Sequence, residues 1–283
     1  MPETIRQALS RGEALKARSD SWQLDTELLL ARVLDKPREY LFTWPQQELL
    51  AKQLQEFQEL LLRRKDGEPI AYILGMRAFW DFELEVNSSV LIPRPETELL
   101  VETALDLLGE GDDTAYKIAD LGTGSGAIAL ALAKAYKTSS VFAVDISAEA
   151  LKLAESNARR LEVSNIEFIQ ASWCDGLLGD GFDIIVSNPP YVAEGDAHLL
   201  EGDLPFEPNM ALVAKNNGMA DLQTIAEQSR RKLKKGSWLL LEHGYDQREA
   251  VANILRQAGY LNIQCRQDLS SVDRLSFAQW GEL

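Results

Sequence analysis

From Lys117 onward, short apolar runs rich in β-branched residues alternate with stretches of helical periodicity, and no other feature restricts the fold as strongly. The runs are Ile118-Ala119-Asp120-Leu121, Val141-Phe142-Ala143-Val144-Asp145, Asp183-Ile184-Ile185-Val186 and Trp238-Leu239-Leu240-Leu241-Glu242. Strand and helix in repeated alternation predict a mostly parallel, doubly wound sheet flanked by helices, an α/β domain. Ligands of such a sheet bind outside the carboxyl ends of its strands. The chain carries no internal repeat and no low-complexity tract.

The part before this alternation reads differently. Between Ile5 and about Arg64, apolar residues recur at helical spacing, as in Leu24, Leu28 and Leu29 or Leu49, Leu50, Leu54 and Phe57, which predicts a small helical bundle. Ser19-Asp20, Pro37 and Trp44-Pro45 punctuate it. After Asp66-Gly67, the aromatic-rich alternation Phe79-Trp80-Asp81-Phe82-Glu83-Leu84-Glu85-Val86 predicts a hairpin. Leu91-Ile92-Pro93-Arg94-Pro95 is a rigid extended segment. A helix with acidic residues at its start follows, over Leu99 to Leu108. The resulting division of the 283 residues is a bundle over 1–75, a hairpin and linker over 76–92, and the α/β domain over 93–283.

Charge and cysteine usage narrow the function classes. With 44 acidic against 29 basic residues the net charge is −15, a field that repels a phosphate backbone and disfavours duplex nucleic acid as a partner. The basic cluster Arg230, Arg231, Lys232, Lys234 and Lys235 reads as a solvated helix end. Cys174 and Cys265 lie too far apart for metal-ligand spacing or a disulfide framework, so both are expected to be reduced and no metal is expected. No signal segment or membrane-length apolar window is visible, so a cytoplasmic protein is expected. His198 and His243, the two histidines, sit beside no Ser or Cys nucleophile in a hydrolytic arrangement.

Three local constellations carry chemistry. Gly122-Thr123-Gly124-Ser125-Gly126 follows a predicted strand and opens the alanine-rich helix Ala127 to Ala135. Its glycines let the backbone turn sharply and approach a ligand without a Cβ in the way, although a tight turn without ligand has the same pattern. Asp145 ends the next strand, about twenty residues on, where a carboxylate accepts hydrogen bonds from both hydroxyls of a ribose; the competing role is a helix N-cap, for which Ser147 is as good a candidate. Together the two features point to a nucleoside-bearing cofactor, a dinucleotide or S-adenosylmethionine alike. The third is Asn188-Pro189-Pro190-Tyr191, directly after a predicted strand. Two prolines fix the backbone there and remove two amide donors, leaving the Asn188 oxygen and a backbone carbonyl to accept both protons of a planar NH2 group. A proline-rich surface turn is the bland alternative.

Asn188-Pro189-Pro190-Tyr191 behind a Gly122 to Gly126 loop is similar to the signature of Rossmann-like class I amino-methyltransferases. Glu68-Pro69-Ile70-Ala71-Tyr72, Leu91 to Glu98, Phe206-Glu207-Pro208 and Leu241-Glu242-His243-Gly244 extend the resemblance over nearly the whole chain, to the PrmC/HemK release factor glutamine methyltransferases. That resemblance implies that Gly122, Thr123, Gly124, Ser125, Gly126 and Asp145 hold S-adenosylmethionine, released as S-adenosylhomocysteine, with Trp173 against the adenine. It implies that Asn188 and the Pro189 carbonyl grip the substrate amide with Pro190 and Tyr191 beside them. The implied substrate is the glutamine of the Gly-Gly-Gln loop of class 1 release factors. Ala171-Ser172 stands where members of the family often have an acidic residue, and Trp173 is equally read as a core aromatic. Arg94 and Glu96 are candidates for reaching cofactor or peptide, or for an ion pair with the helix that follows. Phe79 and Trp80 are candidates for walling a peptide channel. The rival enzyme would methylate an exocyclic amine of DNA adenine or ribosomal RNA guanine on a flipped base, and the rival of another class is a non-catalytic binding module.

Overall fold

In the computed structural model the described residues are 3–109 and 114–281, and they divide into two compact units. The first comprises Met1–Met76 together with Ala197–Phe206. Its helices are α1 (Ile5–Ser10), α2 (Trp22–Leu34), α3 (Glu39–Thr43), α4 (Ala51–Lys65) and α5 (Ile70–Leu74). Thr4 and Gln7 form a capping box that starts α1, satisfying donors a helix N-terminus leaves open. Ile5, Leu15, Leu29, Leu30, Leu41 and Phe57 are wholly buried and make one core.

Arg64 is the charged centre of this unit. It is 6% exposed, donates to Asp25 at 2.7 Å, to Asp203 at 2.9 Å and to the Glu68 carbonyl at 3.0 Å. A buried guanidinium tolerates such a place because carboxylates and a carbonyl replace the lost water. Asp203 thereby ties Ala197–Phe206 to the bundle unit. Sequence reasoning had counted that segment with the α/β domain, because an ion pair spanning 139 positions leaves no local trace.

The second unit, Arg77–Asp196 with Glu207–Leu283, contains the sheet. The hairpin β1 (Met76–Phe79) and β2 (Phe82–Glu85) turns at Trp80, whose φ is 57°. Then follow α6 (Glu98–Leu108), β3 (Lys117–Leu121), α7 (Ala127–Ala135), β4 (Ser140–Asp145), α8 (Ala148–Arg160), β5 (Ile166–Gln170) and β6 (Phe182–Ser187). The chain continues through β7 (Val192–Ala193), α9 (Asn209–Leu212), β8 (Val213–Ala214), α10 (Ala220–Ser229), β9 (Leu233–Glu242), α11 (Arg248–Gln257), β10 (Tyr260–Gln267) and β11 (Asp273–Trp280).

Seven strands form the main sheet in the order β10-β11-β9-β6-β3-β4-β5. β11 runs antiparallel to both of its neighbours, while β9, β6, β3, β4 and β5 pair in parallel. The inner parallel strands are buried on both faces, with Ile118, Ala119, Val144, Ile184, Ile185 and Leu240 fully covered, while β5 lies at the sheet edge. This is why they read as continuous apolar runs. Chain order reverses direction between β3 and β6, and that reversal opens the crevice in which doubly wound sheets bind ligands. The basic cluster lies where α10 ends and β9 begins, with Lys232 bonding the Leu177 carbonyl at 2.6 Å. Cys174 and Cys265 are both free thiols. Among the described residues no helix is long and apolar enough to cross a membrane.

Candidate active site

At the end of β3 the backbone enters the left-handed region three times, at Gly122 (φ 77°), Gly124 (φ 55°) and Gly126 (φ 86°), which side chains rarely tolerate. Gly122 also has no room to spare, since a Cβ there would stand 3.3 Å from the Trp173 ring. The loop is held by Asp120, whose one carboxylate oxygen accepts from the Thr123 hydroxyl at 2.7 Å and from the Ala129 amide at 3.1 Å. The other oxygen is buried without a partner. Burial pushes this carboxyl up to about 7, against the pull of those two hydrogen bonds.

Asp145, at the end of β4, accepts from the Gly124 amide at 2.9 Å and from the Ser147 amide at 2.9 Å. Burial raises its pKa and the backbone amides oppose the rise. The cap of α8 is Ser147, whose hydroxyl accepts from the Ala150 amide at 3.2 Å. That assignment leaves Asp145 on the cavity wall.

The third wall comes from β6. Ser187 donates to the Leu121 carbonyl at 2.6 Å and so joins the two strand ends. Asn188 follows, its Nδ2 donating to the Thr97 hydroxyl at 3.0 Å. Tyr191 is anchored through its carbonyl, which accepts from Gln247 at 2.8 Å, and burial moves its hydroxyl well above the usual phenol range.

The three strand ends enclose a cavity of about 310 Å³. Residues 122–125, Asp145, Trp173, Asn188, Pro190 and Arg94 line it, whereas Pro189, Tyr191, Glu96 and Phe79 do not. Trp173 packs against the sheet core and presents part of its surface to the cavity. Its side chain also donates to Asp221, a lining carboxylate raised by burial and held down by that bond. Arg94 pairs with Glu207, far along the chain, rather than with the following helix; the second Glu207 oxygen accepts from the Ile92 amide at 3.1 Å. Glu96 is exposed. Phe79 is 2% exposed and packs on Phe82 with ring centroids 6.3 Å apart, so it is a core aromatic in this conformation; Trp80, at 37% exposure, occupies the hairpin tip. Thr97, Glu207, Asp221 and Gln247 are the positions that local motifs did not single out as site residues. Among the described residues no group of His, Cys, Asp and Glu is arranged to hold a metal ion.

Residues 7–75 match the family described as PrmC N-terminal domain, and residues 112–276 match the family described as methyltransferase domain. The release factor glutamine methyltransferase of Aliivibrio fischeri is 49% identical over 93% of this chain and 92% of its own. That of Vibrio cholerae is 49% identical over 99% of this chain and 98% of its own. The chain belongs to the release factor glutamine methyltransferase family. The crystal structure of a methyltransferase from Pyrococcus furiosus, with 17% identity, a TM-score of 0.54 and coverage of 79% of this chain and 98% of that one, shares the fold.

S-adenosylmethionine is the cofactor of this family, and the cavity suits it. Gly124 has nothing within 4 Å of the place a Cβ would occupy, leaving its backbone open to a ligand. Asp145 places a carboxylate on the cavity wall at the end of β4, and Trp173 offers an aromatic surface. The loop, Asp145 and Trp173 are the residues that would hold the cofactor.

Proposed function

We propose that this chain methylates the side-chain amide nitrogen, N5, of the glutamine in the Gly-Gly-Gln motif of class 1 peptide chain release factors, in the cytoplasm. The observation that carries the reading is the state of Asn188. Its Nδ2 is committed to Thr97, so its Oδ1 remains to accept from an incoming amide at the cavity wall. The second acceptor is assigned to the Pro189 carbonyl, between the lining residues Asn188 and Pro190 although Pro189 is not itself among them, and the two prolines hold both acceptors in one arrangement without offering a competing N–H donor. Pro190 and Tyr191 complete the turn beside the substrate.

When bound, S-adenosylmethionine supplies a cationic sulfonium whose methyl is already electrophilic, so the protein contributes alignment more than activation. Asn188 and Pro189 turn the amide so that its nitrogen lone pair faces the methyl. Both acceptors also stabilise the positive charge that develops on that nitrogen before it sheds a proton. Asp145 and the glycine loop keep the donor in register. We assign the bundle unit, residues 1–75 in the sequence division, to recognition of the protein substrate. Arg94, paired with Glu207 at the mouth of the segment 91–95, is assigned to shaping the peptide side of the cavity, with Glu96 exposed beside it.

The net charge of −15 favours this reading over an exocyclic amine of DNA adenine or ribosomal RNA guanine. The test is transfer of labelled methyl to purified release factor, with tRNA, ribosomal RNA and duplex DNA in parallel. Label on the Gly-Gly-Gln glutamine is expected. Label confined to nucleic acid would move the activity to base methylation.

A further inference from the structure

Parallel pairing of β6 with β9 sets Ser187 opposite Leu241, so the next residues, Asn188 and Glu242, leave adjacent strand ends together. Glu242 is 2% exposed, follows the wholly buried Leu239, Leu240 and Leu241, and has one carboxylate oxygen with no hydrogen-bond partner. A carboxylate in apolar surroundings is costly to keep, and each such group in a native fold calls for a reason. Its two neighbours are Thr97 and Asn188, whose side chains hold the Glu242 carboxyl down against the rise that burial causes. Thr97, 4% exposed, in turn accepts from Asn188 Nδ2 at 3.0 Å.

The arrangement has a direction. A hydroxyl owns a single proton. If Glu242 takes that proton, Thr97 has only lone pairs to turn toward Asn188, which matches the observed bond from Asn188 Nδ2 to the Thr97 hydroxyl at 3.0 Å and leaves Oδ1 toward the cavity. Were position 242 not an obligate acceptor, the Thr97 hydroxyl could rotate and donate to Asn188 Oδ1. The amide would then flip and point its own NH2 at the NH2 of an incoming amide, donor against donor. We propose that Glu242, acting through Thr97, is the positioning residue that holds Asn188 as an acceptor toward the substrate amide nitrogen. This rests on the amide-methylating reading given above.

The titration of Glu242 agrees with that role. Burial pushes its carboxyl up to about 7, and the negative charge of Glu96 adds to the rise, while the Thr97 and Asn188 hydrogen bonds and the Arg274 charge oppose it. The Tyr191 hydroxyl feels the same carboxylate. Protonation gives Glu242 a donor of its own and removes the direction of the network, so turnover falls as pH drops through about 7.

The experiment compares the full-length wild type with Glu242→Gln, Thr97→Val, Thr97→Ser and the Thr97→Val/Glu242→Gln double variant. It measures kcat and KM on release factor, the pH profile of kcat, and S-adenosylmethionine affinity by calorimetry. Glu242→Gln and Thr97→Val are each expected to lower kcat about 10- to 100-fold, less than the loss of a hydrogen bond made directly to the transition state, with cofactor affinity unchanged within about 2-fold. Groups that act as one unit give non-additive losses, so the double variant falls no further than either single one. Thr97→Ser recovers most of the loss, and the acidic limb of the wild-type profile disappears in Glu242→Gln. Wild-type kcat in Glu242→Gln, additive losses in the double variant, or cofactor affinity falling in step with kcat would each overturn the proposal. A wild type that transfers no methyl to release factor would overturn the proposed function, and this inference with it.

Discussion

The two loops that wall the cavity are secured in opposite ways. The glycine loop after β3 is held from its own neighbourhood: Asp120 takes Thr123 three positions on and Ala129 nine positions on, and Asp145 takes Gly124 across 21 positions. The turn after β6 is held from a distance. Thr97 reaches Asn188 across 91 positions and Gln247 reaches Tyr191 across 56, with Glu242 coming from a further strand. A loop secured locally forms with its own strand–loop–helix unit, whereas a turn secured remotely is in place only once the whole sheet is assembled. Cofactor binding and turnover are therefore separable properties of one cavity, and substitutions should divide accordingly.

The sharpest division is expected from Asn188→Ala, which removes the proposed acceptor of the reacting amide. It should lower kcat about 100- to 1000-fold, as loss of one preorganised charge-stabilising group does, while S-adenosylmethionine affinity changes little. Single-turnover kinetics beside calorimetry measure both, and equal losses would break the comparison. Asp145→Ala is its converse and the next largest. It deletes the anchor of Gly124 and the proposed ribose acceptor, so cofactor affinity should weaken about 10- to 100-fold, the worth of one or two charge-assisted hydrogen bonds; unchanged affinity would remove Asp145 from the ribose.

Gly218→Ala tests the remote anchoring alone. A Cβ there would stand 2.1 Å from the Tyr191 carbonyl oxygen, at a φ of 84°. The cost in stability should be about 1–3 kcal/mol, the range for strained backbone, read from denaturant unfolding. The accompanying fall in kcat should exceed the fall in cofactor affinity, because the strain enters at the turn and not at the glycine loop. A larger loss in binding than in turnover would show that the two loops are coupled.

The smallest effect is on stability against pH. Folding raises the Asp120 carboxyl from 3.8 to about 7 and the Glu242 carboxyl from 4.5 to about 7. Between those limits the folded protein binds more protons than the unfolded chain, so the contribution of both groups is complete below about pH 4 and is lost as pH rises through 7. Unfolding free energy measured at pH 5 and pH 8 should drop less in Glu242→Gln than in the wild type. Identical drops would mean that the Glu242 carboxylate carries none of the dependence.

The same contrast between local and remote explains what was legible before the structure. β3, β4, β6 and the later half of β9 announced themselves because burial on both faces demands unbroken apolar runs. β5 and β10 did not, since edge strands stay partly exposed, as at Glu167, Asn262 and Gln264, and so show neither a run nor a clean alternation. The glycine loop, Asp145 and Asn188 were visible because each stands at a fixed offset from a strand end. Thr97, Glu207 and Glu242 occurred only as letters inside stretches that resemble the family, and Asp221 and Gln247 in none, because their partners lie elsewhere in the chain. Phe79 was read as a candidate wall from its aromatic character, yet hairpin pairing turned it into the core.

Composition and local pattern determined the fold class and marked the glycine loop, Asp145 and the Asn188-Pro189-Pro190-Tyr191 turn as candidates, since each depends on backbone freedom or burial within a few residues. Tertiary structure alone decided that Ala197–Phe206 joins the bundle unit, that Arg94 answers to Glu207, and which face of the Asn188 amide meets the cavity. Hydrogen-bond direction at Asn188 depends on which acceptors stand behind it, and only the packed sheet brings a hydroxyl and a carboxylate from two other elements to that spot.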